Sequence, residues 1–187
     1  MSLAPRATAD AHADDYGVLT APDTVRIERL LPGPVQRVWD YLVQPDLRAT
    51  WFAGGEFEPR VGGRADLVFH HADLTTPDDR PPPKYAQMRD GFRMENRMTH
   101  FDPPHCLGYT FGDRDSHVLF ELTPEGDRVR LVVTHTRLSS REQTLSISAG
   151  WHIHLDILHA RLEGRAPPAF WNRHTALEAE YGARIPG

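Results

Sequence analysis

Eleven histidines are the residues of this chain best suited to chemistry, and their spacing limits what each can do. His152 and His154 stand two apart in a stretch of helical periodicity, so they point in nearly opposite directions and cannot share a metal ion. His70 and His71 are adjacent on an extended run and face opposite sides. His152 and Asp156 are four apart, and Asp156 and His159 three apart. On a helix those spacings suit a metal or an acid–base pair. They equally suit a solvated polar face with weak pairs worth ~0.2–0.5 kcal/mol each, which is the preferred reading. His135 differs, because strand alternation puts it on one face with Leu131 and Val133, inside an apolar interior. There it is tied to a backbone carbonyl as a core residue, the plainer reading, or it orients a ligand or serves as a general base. Its expected partner is Tyr109 or a ligand oxygen, since an unsatisfied buried polar group costs ~1–3 kcal/mol.

Nucleophilic chemistry has little support. Cys106 lies beside Pro103-Pro104 with no acid partner in view, and no Gly-x-Ser-x-Gly elbow is present. Gly54-Gly55 and Gly62-Gly63 lack the residues that complete a phosphate-binding loop. No catalytic residue, metal ligand or cofactor is therefore assigned.

The elements that position these residues follow from apolar periodicity. Residues 25–31 alternate as a strand. Pro34 suits the first position of a helix, and Val35, Val38, Trp39 and Leu42 form its single apolar stripe. Pro45 ends that helix, and a short one follows over 46–52. Extended runs recur at 65–69, 92–101, 107–111, 117–122 and 129–137, separated by Pro, Gly and Asp turns, which implies an antiparallel meander. The segment 72–91, with Pro81-Pro82-Pro83, is a loop insertion. Ile147, Trp151, Leu155, Leu158 and Leu162 then mark a long helix, closed by Gly164 and Pro167-Pro168. Ile153, Ile157 and Ala160 form a second apolar stripe on it, to be covered by the last helix (169–181) or by a second copy in a homodimer.

The chain has 187 residues, 40% hydrophobic and 25% charged, and 21 basic against 26 acidic side chains give a net charge of −5. That length supports one domain with a core of its own. The acidic balance argues against nucleic acid as a partner. One cysteine excludes an internal disulfide framework. No stretch reaches the ~20 apolar residues of a membrane span. Residues 1–22 are small and polar and are expected to form a flexible arm, dispensable for folding, before a single domain over 23–187. The start carries Asp10, His12, Asp14 and Asp15 and no apolar core, so a cytoplasmic location is expected.

Several motifs in this order resemble one family. Pro34, Val38, Trp39, Pro45, Asp46, Trp51 and Phe52 are similar to the opening of the SRPBCC (START-like) superfamily. The branch is the proteins similar to the C-terminal domain of the activator of the heat-shock-protein-90 ATPase. The turn at 60–64, Asp102-Pro103-Pro104 before 107–111, the strands across 120–138 and the helix around Gly150 and Trp151 continue the resemblance, to residue 181. The 72–91 insertion is longer and richer in proline than is usual there. The resemblance implies an α+β helix-grip fold, a curved antiparallel sheet of about six strands around a long C-terminal helix.

It also implies a cavity between sheet and helix for a small hydrophobic molecule. Its expected lining is Trp51, Phe52, Leu67, Phe69, Met98, Tyr109, Phe111, Phe120, Leu122, His135, Trp151, Leu155 and Leu158, any of which would serve equally as plain core. A non-enzymatic binding protein is the leading expectation. The alternatives are a co-chaperone-like interaction module with a chaperone partner and a role in stress, or a cyclase, dehydratase or hydrolase using the same cavity.

Overall fold

Val25, Ile27, Arg29 and Leu31 alternate along β2 (Thr24–Pro32), and all four side chains are buried against the interior. The computed structural model, which describes residues 15–186, builds the other expected strands the same way. They are β3 (Arg64–Phe69), β4 (Phe92–Asp102), β5 (Cys106–Phe111), β6 (Asp113–Glu125) and β7 (Arg128–Thr136). With β1 (Val18–Ala21) they form one curved antiparallel sheet in the order β1-β2-β7-β6-β5-β4-β3. Register aligns the core-facing side chains in rows across it. Ile27 sits opposite Val133, Val133 opposite Phe120 and Phe120 opposite Leu107. The next row holds Val25, His135 and Val118.

Between β2 and β3 run α1 (Val35–Val43), which buries Val38, Trp39 and Leu42 as its stripe requires, and α2 (Pro45–Ala49). Arg48 of α2 is buried and carries no carboxylate partner in its hydrogen bonds. Its guanidinium donates instead to the backbone carbonyls of Val43 (2.9 Å), Ala53 (3.0 Å) and Gly55, and lies over the Phe57 ring. Burial lowers its pKa to about 10. This one side chain gathers the carbonyls of the irregular link to β3, groups that would otherwise lose water without replacement.

The long helix α3 (Arg141–Leu162) starts at Ser140, whose side chain accepts from Gln143 N–H, while the Gln143 side chain accepts from Ser139 N–H. Both exchanges satisfy donors near the helix start that have no partner within it. Gly164 takes a left-handed backbone (φ 68°) just past the C-terminus, as the sequence suggests. Helix α4 (Phe170–Arg184) and β2 both pack on α3. Ile153, Ile157 and Ala160 are buried within the single chain, so the stripe that motivated a homodimer is already covered.

Two findings depart from the sequence reading. Residues 1–14 of the expected arm lie outside the described residues, but 15–22 belong to the fold. Beyond β1, the Tyr16 ring packs edge-on against His152 (4.8 Å) and Tyr181 (5.3 Å), and Gly17 N–H donates to the Tyr181 hydroxyl (2.8 Å). A lone tyrosine in a polar stretch carries no periodic signal, so only its tertiary partners reveal it. The second concerns the face of α3 expected to be solvated. His159 and Glu163 pair at 3.2 Å and are partly exposed, but His152 is buried. Its Nδ1 lies 3.0 Å from the Tyr181 hydroxyl, its Nε2 is 3.5 Å from Asp156, and buried Arg29 reaches Asp156 at 3.0 Å. Burial raises the Asp156 pKa against the pull of Arg29.

The insertion folds as two 3-10 turns, His71–Leu74 and Pro83–Met88. It also caps α4, whose own N-cap Ala169 offers no side-chain acceptor. Phe170 N–H donates to Thr75 Oγ1 (3.0 Å), Trp171 N–H to Asp79 Oδ2 (2.7 Å) and Asn172 N–H to Asp79 Oδ1 (2.9 Å). Asp79 is buried, and the Thr75 hydroxyl donates to it as well. A carboxylate there satisfies free N–H groups and complements the positive end of the helix dipole. Asp79→Ala should therefore lower stability by about 1–2 kcal/mol, the upper part of the range for lost caps. Urea unfolding checks this, and Asp79→Asn should recover part of the loss.

Candidate functional site

Where α3, α4, the insertion and the β3–β4 end of the sheet meet, the side chains leave a cavity of about 240 Å³. Five parts of the chain supply its wall. The sheet side gives Phe69, Phe92, Met94 and Phe111, and Phe52 comes from the link after α2. The insertion gives His71, Tyr85 and Met88. Helix α3 gives Gln143, Ser146, Ile147, Gly150, Trp151 and His154, and α4 gives Phe170, Trp171 and His174. Aromatic rings meet throughout: Phe52 stacks on Trp151 (5.0 Å) and meets His154 edge-on (4.9 Å), and Phe69 stacks on Phe92 (4.6 Å).

Of the residues the sequence singles out, Phe52, Phe69, Phe111 and Trp151 reach this wall. Trp51, Leu67, Met98, Tyr109, Phe120, Leu122, Leu155 and Leu158 are buried in the core, which fills most of the space between sheet and helix. His135 is also fully buried and faces the interior, as alternation along β7 requires, and it bonds to two side chains, Trp151 and Ser116. The Trp151 indole N–H donates to His135 Nδ1 (2.9 Å), and His135 Nε2 lies 2.7 Å from Ser116 Oγ. An indole nitrogen only donates, so Nδ1 accepts and the ring proton sits on Nε2, toward Ser116. His135 thus anchors the tryptophan at the cavity wall from behind.

The wall residues that sequence reasoning missed come from the insertion, β4, α3 and α4. Phe170 and His174 are one helical turn apart, a weak signal, and nothing local announces that the insertion folds back over them. In the sequence Gly150 stands out only as part of the helix motif. A Cβ built there meets nothing within 4 Å, although the residue lies within α3. Glycine inside a helix costs roughly 0.5–1 kcal/mol relative to alanine, so the open space is kept at some expense of helix stability.

Three imidazoles are held here in apolar surroundings. His154 is buried, and burial, with His71 nearby, lowers its pKa to about 3. Its Nδ1 donates to the Trp51 carbonyl (2.7 Å). Burial, reinforced by His174 and His70, takes His71 down to about 4. Burial also lowers His174, with Glu178 pulling the other way. His71 Nδ1 has no hydrogen-bond partner among the described residues. Also among the described residues, no group of three His, Cys, Asp or Glu side chains could hold a metal ion, and no helix is long and apolar enough to cross a membrane.

An outer cleft, lined by Lys84, Gln87, Ser140 and Glu142, shares Tyr85, Gln143, Ser146 and Ile147 with the cavity. The Tyr85 hydroxyl stands between the two spaces, 2.8 Å from Ser146 Oγ and 2.9 Å from Glu178. Lys84 pairs with Glu178 at 2.7 Å and with Glu142 at 3.3 Å.

Comparison with known proteins gives a consistent picture. The family described as "Activator of Hsp90 ATPase homolog 1-like protein" matches residues 32–163. The solution structure of the protein encoded by gene BPP1335 from Bordetella parapertussis is 40% identical, with 93% of this chain and 92% of that one covered and a TM-score of 0.78. CalU16 from Micromonospora echinospora is 20% identical over 86% of each chain (TM-score 0.61), and EF2215 from Enterococcus faecalis, titled a conserved protein of unknown function, is 19% identical over 89% and 90% (TM-score 0.61). The last two show likeness of fold alone. No curated protein matches the chain.

The buried histidines give folding a pH dependence of known sign. Their native pKa values lie below the ~6.5 of an exposed imidazole, so between those values the unfolded chain binds protons that the native chain does not. Their contribution is complete above pH ~6.5 and is lost as pH falls toward 4, by up to ~1.4 kcal/mol per pH unit for each histidine. Urea unfolding at several pH values should show this decline, and His71→Phe should make it shallower.

Proposed function

The chain belongs to the activator of Hsp90 ATPase homolog 1-like family, and on that premise we propose that it binds a small hydrophobic molecule in the cavity under α4 and the insertion. The carrying observation is the unfilled space itself. It is a half-open cleft whose aromatic and Met side chains leave apolar surface without protein contacts, surface that a bound apolar molecule would cover. Here the void is bounded by a helix that keeps glycine at position 150, where any larger side chain would grow into open space. Apolar clefts with few polar groups are the usual form of a small-molecule site.

Binding takes precedence over turnover in this reading. His135, the histidine the sequence offers as a general base, is engaged at both ring nitrogens and lies behind Trp151. It also takes precedence over a chaperone-directed role, because the feature to be explained is a concave apolar cleft of small-molecule size. Tyr85, Gln143, Ser146 and Ile147 line both the cleft and the outer space beside Lys84.

Native mass spectrometry of the protein purified from its host tests the proposal. The wild type should carry a mass excess that organic extraction removes. Gly150→Leu should fold, with unfolding free energy equal to or above wild type, and should lose the excess, because the new side chain occupies the space. Retention of the same molecule by Gly150→Leu would place the ligand elsewhere.

A further inference from the structure

The polar groups of this cavity say what it selects, given that it is the binding site. Among the described residues its wall holds no Lys, Arg, Asp or Glu side chain. The hydrogen-bonding capacity in its apolar part comes chiefly from imidazoles. His154 donates its Nδ1–H to the Trp51 carbonyl, which leaves Nε2 as the acceptor of that ring. His71, its ring centroid 5.8 Å from that of His154, is buried with Nδ1 lacking a partner, and a group so placed is normally satisfied by something. Phe52 and Phe170 flank His154, each with its centroid at 4.9 Å, so the acceptor ring sits between aromatic walls.

We propose that the cavity selects a neutral, flat molecule of one or two aromatic rings bearing a hydroxyl group, with that hydroxyl donating to His154 and the His71 imidazole beside it as second polar contact. Size follows from volume. An apolar cavity of ~150 Å³ takes a benzene ring, so the cleft of about 240 Å³ has room to cover one substituted ring or two fused rings. Charge follows from the wall. A carboxylate would enter with no cation to meet it, since burial keeps all three imidazoles in the uncharged form, and an unpaired buried charge is strongly disfavoured. The hydroxyl follows from the imidazoles: His154 contributes its Nε2 acceptor to the wall and His71 Nδ1 is buried without a partner among the described residues, so a ring with no polar group would satisfy neither. Flatness follows from the walls, which favour stacked and edge-on ring contacts.

Three probes of one ring system separate these points: 2-naphthol, naphthalene and 2-naphthoate, titrated into the full chain at neutral pH and followed by calorimetry. 2-Naphthol should bind at least roughly tenfold more tightly than naphthalene, the difference expected when a buried acceptor is left unpaired, and 2-naphthoate should bind weakest. His154→Phe should bring the two neutral probes to similar Kd values by weakening 2-naphthol alone. His71→Phe should narrow the same gap and serves if the first variant does not fold. Equal affinity of the wild type for 2-naphthol and naphthalene would overturn the role of the imidazoles while leaving the cavity as a binding site. Tightest binding of 2-naphthoate would overturn the selection for a neutral ligand. Failure of all three probes to bind would remove the cavity reading and this inference together.

Discussion

The indole of Trp151 has to be satisfied on every side at once, and much of the interior is arranged around that requirement. Its rings are too large to pack against one strand, so Phe120 meets it edge-on from the sheet and Phe52 stacks on it from the link after α2. Its N–H is buried and must donate, which obliges β7 to bring an acceptor to that spot. His135 provides one, and Ser116 on β6 accepts the proton that this tautomer carries. The register of β6 on β7 and the placement of α3 on the sheet are thereby tied together. A register slip of one residue would move His135 to the outer face and leave the indole without its partner.

The same tryptophan divides the interior into two regimes. On one side the space is filled, with Leu155, Leu158, Phe120 and Leu122 packed in a continuous core. On the other, a cleft remains, bordered by the sheet, α3, α4 and the insertion. Neither α4 nor the insertion is complete without the other. α4 begins at Ala169 with free N–H groups, and the proline-rich insertion has little apolar surface of its own. Asp79 and Thr75 resolve both problems by placing acceptors at the start of α4, and Tyr85 adds a contact to α3 and α4 at the other end of the insertion. A segment that looks like a loop in sequence is therefore a structural cap for a helix about ninety residues further along the chain.

Keeping space open has consequences that appear in the residues around it. Gly150 weakens α3 locally, and His71, His154 and His174 are enclosed where their charged forms are disfavoured. None of these features improves packing. They are coherent if the region has to receive a molecule, since a void of this kind otherwise reduces stability. The network of Arg29, Asp156, His152 and Tyr181 on the far side of α3 is of a different kind. There charges are paired and hydroxyls bonded, and the first described residues of the chain close over them.

What the sequence by itself determined was the scaffold. Period-two runs from Val25 to His135, the Val38–Trp39–Leu42 stripe and the long stripe through Trp151 each depend on local geometry, so strands, helices and the inward direction of His135 could be read from spacing. Motif order then placed them in a helix-grip sheet. β1 escaped because four residues in a polar stretch carry too little pattern, and because their pairing with β2 is an edge contact rather than a buried one. The tertiary structure alone decided which apolar residues face space and which fill it. That distinction depends on which elements far apart in sequence come together, and Phe52 and Leu67 look alike until tertiary packing leaves the cleft beside one of them. It also decided the fate of the histidines. His152 and His154 differ by two positions, and the spacing only says that they point apart. One meets Tyr181 and Asp156 under the N-terminal segment and the other reaches the cavity beside His71, because burial and partners are set by what folds over a helix face and not by the helix that presents it.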